Sequence, residues 1–444
     1  MKKAIFYLTY FLSPIGLIAI LYLSNPTRYS TLQFLLPMIM GVLAYSWFCW
    51  QFVLSARSKF IDHLIGLDKV YRLHGMMAIF SLALVIIHKI ILKSLFGESL
   101  TTLLGGIGFN IFAGISVISL LLMTKSKWQG AIIIKAIVKL INSIEIFKYE
   151  HYKLLHNLTI FGLVFMQIHV LLTSGARQSQ LVFSAYMISF IVSIVFYLYH
   201  KVLRPWIYEE NKCEIVEINL EAEKLWSIIF KPLNHEFKYK PGQFAFFKIL
   251  VDGHHEEHPF SISSAPGMEG NISITVKELG DFTNKMSKLR VGDQLIIDGP
   301  YGEFSHVNYP REKQNVFIAG GIGITPVMSM LRYIKQHDPN RDVLLLWGMR
   351  TIKDYAFKEE INEMLSYMPH LKVIPVISND DSYEGEKGFI DYIRLLNYLS
   401  KLRKSVSKTG FYICGPQILM KNSVMNLKKM DIDSHRIHYE SFSL

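Results

Sequence analysis

YRLHGMMAIFSLALVIIHKIILKS, residues 71–94, and LLHNLTIFGLVFMQIHVLLTS, residues 154–174, decide how this chain is built. Each is long and apolar enough to cross a hydrocarbon core of about 30 Å, which takes about 20 helical residues. Each also carries two histidines, His74 and His88 in the first and His156 and His169 in the second. Ionisable side chains inside a span are costly and point to function. Fourteen helical residues at about 1.5 Å each put His88 about 21 Å from His74 and within about 40° of the same face. His169 follows His156 by thirteen residues, about 140° out of line on an ideal helix, so tilt or a local distortion must re-aim one ring. Two such helices running in the same direction match His74 with His156 and His88 with His169. Neutral imidazole is an axial ligand of haem iron, so the expectation is two stacked bis-histidine b-type haems. The plainer alternative is four unrelated histidines hydrogen-bonded near helix ends.

Four further apolar stretches, at roughly 4–23, 35–55, 104–123 and 181–200, bring the count to six spans. At 444 residues, 51% apolar and a mean hydropathy of +0.27, the chain exceeds one domain and is neither disordered nor an ordinary soluble enzyme. Cys49, Cys213 and Cys414 are too few and too scattered for a disulfide framework or a cysteine zinc site. Before residue 201 sixteen basic residues face five acidic ones, an excess equal to the whole net charge of +11. That excess lies between apolar runs and forms no basic stripe on a folded domain, which argues for membrane topology and against nucleic acid. Lys2, Lys3, Arg57, Lys59, Lys69, Arg72, the lysines from Lys125 to Lys153, Lys201 and Arg204 fall on one side, whereas Arg28, Lys93 and Arg177 fall on the other. By the positive-inside rule both termini lie in the cytoplasm of a multi-pass protein of the cytoplasmic (plasma) membrane. No small-residue cleavage site follows the first span near Ser24-Asn25-Pro26, which argues against a signal peptide.

After Pro205 the texture changes. From Glu214 to about Pro300 the runs EIVEI, LWSIIF, QFAFFKI, FSIS, ISITV and QLIID read as the strands of a small antiparallel β-barrel. From Asn315 onward NVFIAG, DVLLLWG, LKVIPVI, GFYICG and HRIHYE alternate with helices, as in an open α/β sheet. The expected organisation is an all-α six-helix transmembrane bundle over 1–205, the barrel over 206–310 and the α/β domain over 311–444.

Four signals follow in this half: HPFSISSAP (258–266), TVKELGDFT (275–283), GGIGITP (320–326) and Cys414-Gly415-Pro416. A flavin needs a shelf for its ring, a hydroxyl near its reactive nitrogen and amides for its pyrophosphate; Phe260, Ser261 and the segment Gly280 to Thr283 fit these needs. Gly320, Gly321 and Gly323 let the backbone approach a second pyrophosphate, with Thr325 expected to cap the helix whose amides face it. Cys414 ends a strand where a nicotinamide could lie. Read singly, these are also common strands and turns.

Together the four signals resemble the ferredoxin-NADP reductase type of module, and with the histidine pairs and YEHYKLLH (149–156) the chain resembles the NADPH oxidase and ferric reductase family. The resemblance implies electron flow from NADPH, or NADH, through FAD and two haems across a membrane. It assigns His258, Pro259, Phe260, Ser261 and Thr283 to FAD, with Lys277 and Gly280 of TVKELGDFT as further cofactor-binding candidates. It assigns Gly321, Gly323, Thr325, Pro326, Cys414, Gly415 and Pro416 to the nicotinamide nucleotide, beside Gly320. Arg350, in WGMRT, stands where a 2′-phosphate would sit, and Phe442 where an aromatic ring would cover the flavin; Phe442 and Cys414 are thus the residues nearest the chemistry. His258 replaces the arginine usual in soluble relatives, and the second span lacks the arginine that some superoxide-producing members carry. The outer loops, about 24–34, 95–103 and 175–180, are too short to form a docking face of about 1,000 Å², so no protein partner is required. Beyond membrane lipid, the expected partner is a small acceptor, oxygen first and a ferric or cupric chelate second; electron donation to an outer protein is a further alternative.

Overall fold

The computed structural model describes residues 2–93, 95, 97–122, 149–250, 256–267, 270–280, 282–402 and 405–440. The chain divides into two compact units, Met1–Arg204 and Pro205–Leu444.

The first unit is helical: α1 (Lys2–Ser24), α2 (Leu32–Ser55), α3 (Lys59–Ile65), α4 (Leu67–Lys93), α5 (Leu100–Leu122), α6 (Tyr149–His156), α7 (Thr159–Leu171), α8 (Ser174–Gln178) and α9 (Gln180–Leu198), then a terminal turn α10 (Arg204–Tyr208) that enters the second unit. Six segments among the described residues are long and apolar enough to cross a membrane: Lys3–Ser24, Leu32–Ser55, Leu67–Lys93, Leu100–Leu121, Leu154–Leu171 and Gln180–Tyr208. Their outer faces carry Ile90, Leu103, Leu181 and Ile188, each more than 60% exposed or at that level. Such a rind suits hydrocarbon as solvent. Inside, polar groups find partners across helices: the Tyr45 hydroxyl meets Gln167 and the Tyr186 carbonyl, and Ser193 donates to the Cys49 carbonyl.

Between α6 and α7 the ladder tightens. The amides of Asn157, Leu158, Ile160 and Phe161 bond to carbonyls three residues back, those of Leu154, Leu155, Asn157 and Leu158. Each residue in such a turn advances about 120° instead of about 100°, so the stretch supplies about 80–100° of the roughly 140° by which His169 would miss the face of His156.

In the second unit β1 (Lys212–Ala222), β2 (Leu225–Pro232), β3 (Phe244–Ile249), β4 (Glu257–Ser261), β5 (Ile272–Lys277) and β6 (Gln294–Tyr301) form an antiparallel sheet in the order β4-β3-β6-β1-β2-β5. The expected barrel is not a full closure: among the described residues the single bridge Ile262–Ile274 joins the two edges of the sheet. Beyond that bridge side chains replace the ladder: the Ser263 amide still donates to the Ser273 carbonyl, but the Ser273 amide turns to the Ser264 hydroxyl.

The second sheet is parallel, β7 (Gln314–Gly320), β8 (Asp342–Met349), β9 (Leu371–Ile377), β10 (Glu386–Lys387), β11 (Thr409–Cys414) and β12 (Ile437–Tyr439), in the order β10-β9-β8-β7-β11-β12. Its helices are α11 (Ile324–His337), α12 (Lys358–Tyr367), α13 (Tyr392–Leu399) and α14 (Gln417–Lys429). Alternate strand residues serve opposite layers. Phe317, Val343, Leu345 and Trp347 pack with α11 and α12, whereas Val316, Ile318, Leu344 and Leu346 pack with α13 and α14.

One buried carboxylate ties the sheet's last strands together. Glu312 accepts from the Tyr412 hydroxyl at 2.5 Å and pairs with His438 Nε2 at 2.7 Å, and a Cβ on Gly410 would overlap it. Both Glu312 and His438 are buried. His438→Leu leaves that carboxylate short of a partner and should cost about 3 kcal/mol. The expected outcome is a clear fall in the temperature at which the full-length protein releases FAD fluorescence; an unchanged midpoint would contradict it.

Candidate functional site

In the parallel sheet β7 comes first, β8 lies on one side of it and β11 on the other, so the order reverses between β7 and β11. Open α/β sheets bind ligands at the carboxyl ends of strands where this happens. Gly320 to Gly323 leave β7 at that place, and Cys414, Gly415 and Pro416 leave β11 beside them. The two turns touch. A Cβ on Gly323 would stand 2.3 Å from the Cys414 carbonyl oxygen, one on Gly320 would stand 2.8 Å from the Pro416 ring, and one on Gly415 would stand 2.9 Å from the Gly320 nitrogen. Gly321 has φ +51°, with open space where its side chain would be, and its carbonyl accepts from Trp347 Nε1 at 3.1 Å.

Thr325 does not cap α11. It lies inside the first turn and donates to the Ile322 carbonyl at 3.0 Å, while Gly323 holds the cap position with no side chain to offer. The Ile324 amide already donates to the Gly321 and Ile322 carbonyls and Pro326 has none, so the room for an anion lies at the open glycine turn before the helix. Cys414 is buried, and that burial, reinforced by the nearby Glu440 carboxylate, holds its thiol well above its ordinary pKa. The thiol is protonated and is not a nucleophile. Glu440, buried beside Gly302 as well, is a site residue that sequence reasoning passed over. Its position one residue past the last strand was the available signal. Phe442 lies outside the described residues.

His258, Pro259, Phe260 and Ser261 form most of β4 and pair with β3, with Ser261 opposite Phe244. Phe260 packs near-parallel to Phe282, at 6.1 Å between centroids, and His258 stacks on Phe282 at 3.8 Å while bonding Glu256 at 3.0 Å. Thr283 gathers the next loop: its hydroxyl accepts from the amides of Leu279 and Gly280 at 2.8 and 2.9 Å and donates to the Gly280 carbonyl. Phe282 thus brings the rings of His258 and Phe260 beside the Thr283 loop, whose Leu279 and Gly280 amides are taken up by the Thr283 hydroxyl.

Behind Ser261 a buried chain of hydroxyls links Ser227, Thr275, Ser263 and Ser273. From the nucleotide domain Ser329 donates to the Ser264 carbonyl at 2.5 Å, and Arg332 donates to the Ser263 carbonyl while gripping Glu360 with two nitrogens. The segment that follows Ser261 is therefore pinned to the helix that begins at Ile324. Lys277, expected at a cofactor, instead bonds Asp354 at 2.8 Å, in the loop after β8. Burial raises the Asp354 pKa, but Lys277 and Thr351 outweigh it and hold the carboxyl below its ordinary range. Arg350, four residues earlier, is exposed at the end of β8.

In the helical unit the four histidines meet in the expected pairs. His74 and His156 have ring centroids 6.2 Å apart at 39°, and His88 and His169 are 6.3 Å apart at 86°. Two imidazoles sharing one metal at about 2 Å per bond, each nitrogen about 1.1 Å from its ring centre, would put the centroids about 6.2 Å apart. Among the described residues no set of three or more His, Cys, Asp or Glu converges to hold a metal by itself. Each pair would supply two imidazole ligands and no more, a donor set and spacing that fit a haem iron. His88 Nδ1 lies 2.8 Å from the Pro37 carbonyl and His169 Nδ1 lies 2.7 Å from the Thr101 carbonyl. The sequence showed the histidines but not these carbonyls, which belong to distant helices.

Residues 210–305 match the family model described as FAD-binding domain, and residues 317–424 that described as oxidoreductase NAD-binding domain. The glycine betaine monooxygenase reductase subunit of Chromohalobacter salexigens is 33% identical over 210 residues, 46% of this chain and 56% of that protein. The flavohemoprotein of Oceanobacillus iheyensis is 29% identical over 235 residues, 50% of this chain and 56% of that one. The flavohemoglobin of Malassezia yamatoensis, solved with bound FAD and heme, superposes with a TM-score of 0.50 at 18% identity, covering 77% of this chain and 95% of its own; at that identity the likeness is one of fold. The chain spans 56% of the length of each of the two sequence relatives. Its C-terminal half is an NAD(P)H-dependent FAD oxidoreductase module, joined to six apolar helices that carry paired histidines.

Proposed function

We propose that this protein carries electrons from cytoplasmic NAD(P)H, via FAD and two b-type haems, across the cytoplasmic membrane to a small acceptor outside, oxygen giving superoxide in the first place and a ferric or cupric chelate in the second. The observation that carries this reading is the metal-ready spacing of two histidine pairs, 6.2 and 6.3 Å, in the helical unit of a chain whose other half binds FAD and a nicotinamide nucleotide. His74 and His88 lie on one continuous helix, so the two levels are about 21 Å apart along it. Charge bias in the loops supports a cytoplasmic side for the His74 level. Electrons leaving the negative side gain about 2.3 kcal/mol per 100 mV. The relatives named above are reductase subunits and flavohemoproteins, and they support the donor half of this reading.

The chain's own groups bind and orient. Phe260, Ser261 and the Thr283 loop would hold FAD, which when bound converts a two-electron donor into single-electron steps. The Gly320–Gly323 turn would hold the nucleotide phosphates. The neutral Cys414 thiol gives the nicotinamide face a small, uncharged neighbour. Arg350 would fork onto a 2′-phosphate and favour NADPH.

Purified in detergent with FAD, the protein should reduce cytochrome c in air when given NADPH, with superoxide dismutase suppressing most of the signal. Insensitivity to the dismutase, together with fast anaerobic ferric-chelate reduction, would instead make a chelate the acceptor. Dithionite difference spectra provide a separate check. His88→Leu and His169→Leu should remove one haem's absorbance and leave NADPH-to-FAD reduction intact, while His74→Leu and His156→Leu interrupt flow at the earlier level; four unchanged spectra would sink the haem reading. For nucleotide choice, Arg350→Ala should raise the KM for NADPH about tenfold and leave that for NADH nearly unchanged, as expected for the loss of about 1.4 kcal/mol of phosphate binding. Equal weakening of both would disprove the assignment.

A further inference from the structure

We propose that Gly41 and Gly105 are positioning residues for the pair formed by His88 and His169: each lacks the Cβ that would keep an imidazole from the backbone carbonyl one helical turn earlier. The inference rests on the haem reading above and adds how the rings of one pair are held.

The same construction occurs twice. On α2 the carbonyl of Pro37 is followed four residues later by Gly41, and on α5 the carbonyl of Thr101 is followed four residues later by Gly105. Helix α4 packs along α2 and brings His88 Nδ1 to the first carbonyl, while α7 packs along α5 and brings His169 Nδ1 to the second. In a helix the carbonyl of residue i points at the amide of residue i+4, so a side chain at i+4 flanks the place a third group must occupy. A Cβ on Gly41 would stand 2.8 Å from both Nδ1 and Cε1 of His88. On Gly105 it would stand 2.8 Å from Nδ1 and 3.0 Å from Cε1 of His169. The crowded atoms are ring atoms fixed by their own hydrogen bond, so they cannot swing away without giving it up.

A carbonyl offers only lone pairs, so at these distances each Nδ1 must be the donor. That settles the tautomer: Nε2 carries its lone pair and is the ligand atom, and the hydrogen bond strengthens it as one. It also fixes the ring planes, 86° apart in this pair. The other pair differs in its ring angle: the buried His74 lies near the Gln51 carbonyl without Nδ1 reaching strict hydrogen-bonding geometry, and its ring stands at 39° to that of His156. The two levels are therefore distinguishable. Near-perpendicular imidazole planes give a more anisotropic low-spin ferric signal than planes closer to parallel.

The test compares the full-length parent with Gly41→Ala, Gly105→Ala and Gly114→Ala, measuring haem per chain, FAD per chain and the low-temperature electron paramagnetic resonance spectrum of the ferric protein. Gly114 lies on the same helix as Gly105 but is exposed, with open space around it, and serves as the control. The parent should hold two haems and show two low-spin signals. Gly41→Ala and Gly105→Ala should each lose one haem per chain, or shift the more anisotropic signal alone, with FAD and the second signal retained; Gly114→Ala should match the parent. Alanine raises helix propensity over glycine by about 1 kcal/mol, so a weakened helix would not account for the loss. Two haems and unchanged signals in both variants would overturn the role of these glycines and leave the haem reading standing. A parent without haem would overturn that reading, and this inference with it.

Discussion

The arrangement of the helical unit depends on one requirement, that two imidazoles meet with their centres about 6 Å apart in a setting that offers almost no polar support. Burying a histidine among apolar helices is unfavourable unless its ring nitrogens are used. Here one nitrogen of His88 and one of His169 go to backbone carbonyls, which cost the protein no additional polar side chain. The other nitrogen is then free for a ligand bond. The tightened turn at Asn157–Phe161 follows from the same requirement, because a regular helix would carry His169 away from the face that His156 uses. Aromatic and hydroxyl pairs such as Phe48 with Phe112 and Tyr45 with Gln167 then pack the helices around the two levels.

In the second unit the corresponding constraint is backbone proximity. The turns after β7 and β11 approach so closely that Gly320, Gly323 and Gly415 have no room for side chains, and this contact places the start of α11 at the reversal of strand order. From there Ser329 and Arg332 on α11 reach the segment that follows Ser261, so the flavin strand and the nucleotide helix are fixed by the same few residues. Lys277 and Asp354 add a second tie between β5 and the loop after β8. A hydride donor and acceptor must be held at contact distance and correct orientation, and under the proposed function this bracing would serve that end.

Much of this was legible in the sequence because its signals are local. Six apolar runs, the near-equal spacing of His74–His88 and His156–His169, and alternating strands after Pro205 each depend on residues close together in the chain. What escaped depends on tertiary pairing. Thr325 has the residue type of a helix cap, but the glycine turn places the cap two residues earlier, at Gly323, and turns the Thr325 hydroxyl to Ile322. Lys277 stood out in the sequence only as a cofactor candidate, and its pairing with a carboxylate 77 residues away was not legible there. The edge strands that a barrel would join are separated where serine hydroxyls replace the ladder. Gly41 and Gly105 read as ordinary small residues in apolar spans, and only the helices across from them give them a role.

The protonation states in the module also say what kind of chemistry it is built for. A general acid or base needs a pKa tuned toward neutrality and a path to the reacting atom. Cys414 is instead driven to its neutral form by burial and by Glu440, while Asp354 is held ionised by Lys277 and Thr351. Neither is poised to exchange a proton near pH 7. Hydride and electron transfer ask for something else: fixed orientation, exclusion of water and charges that do not change during the step. The buried thiol at the end of β11 and the neutralised pair across the loop meet those demands, so the module's contribution lies in positioning its cofactors, with the redox chemistry left to them.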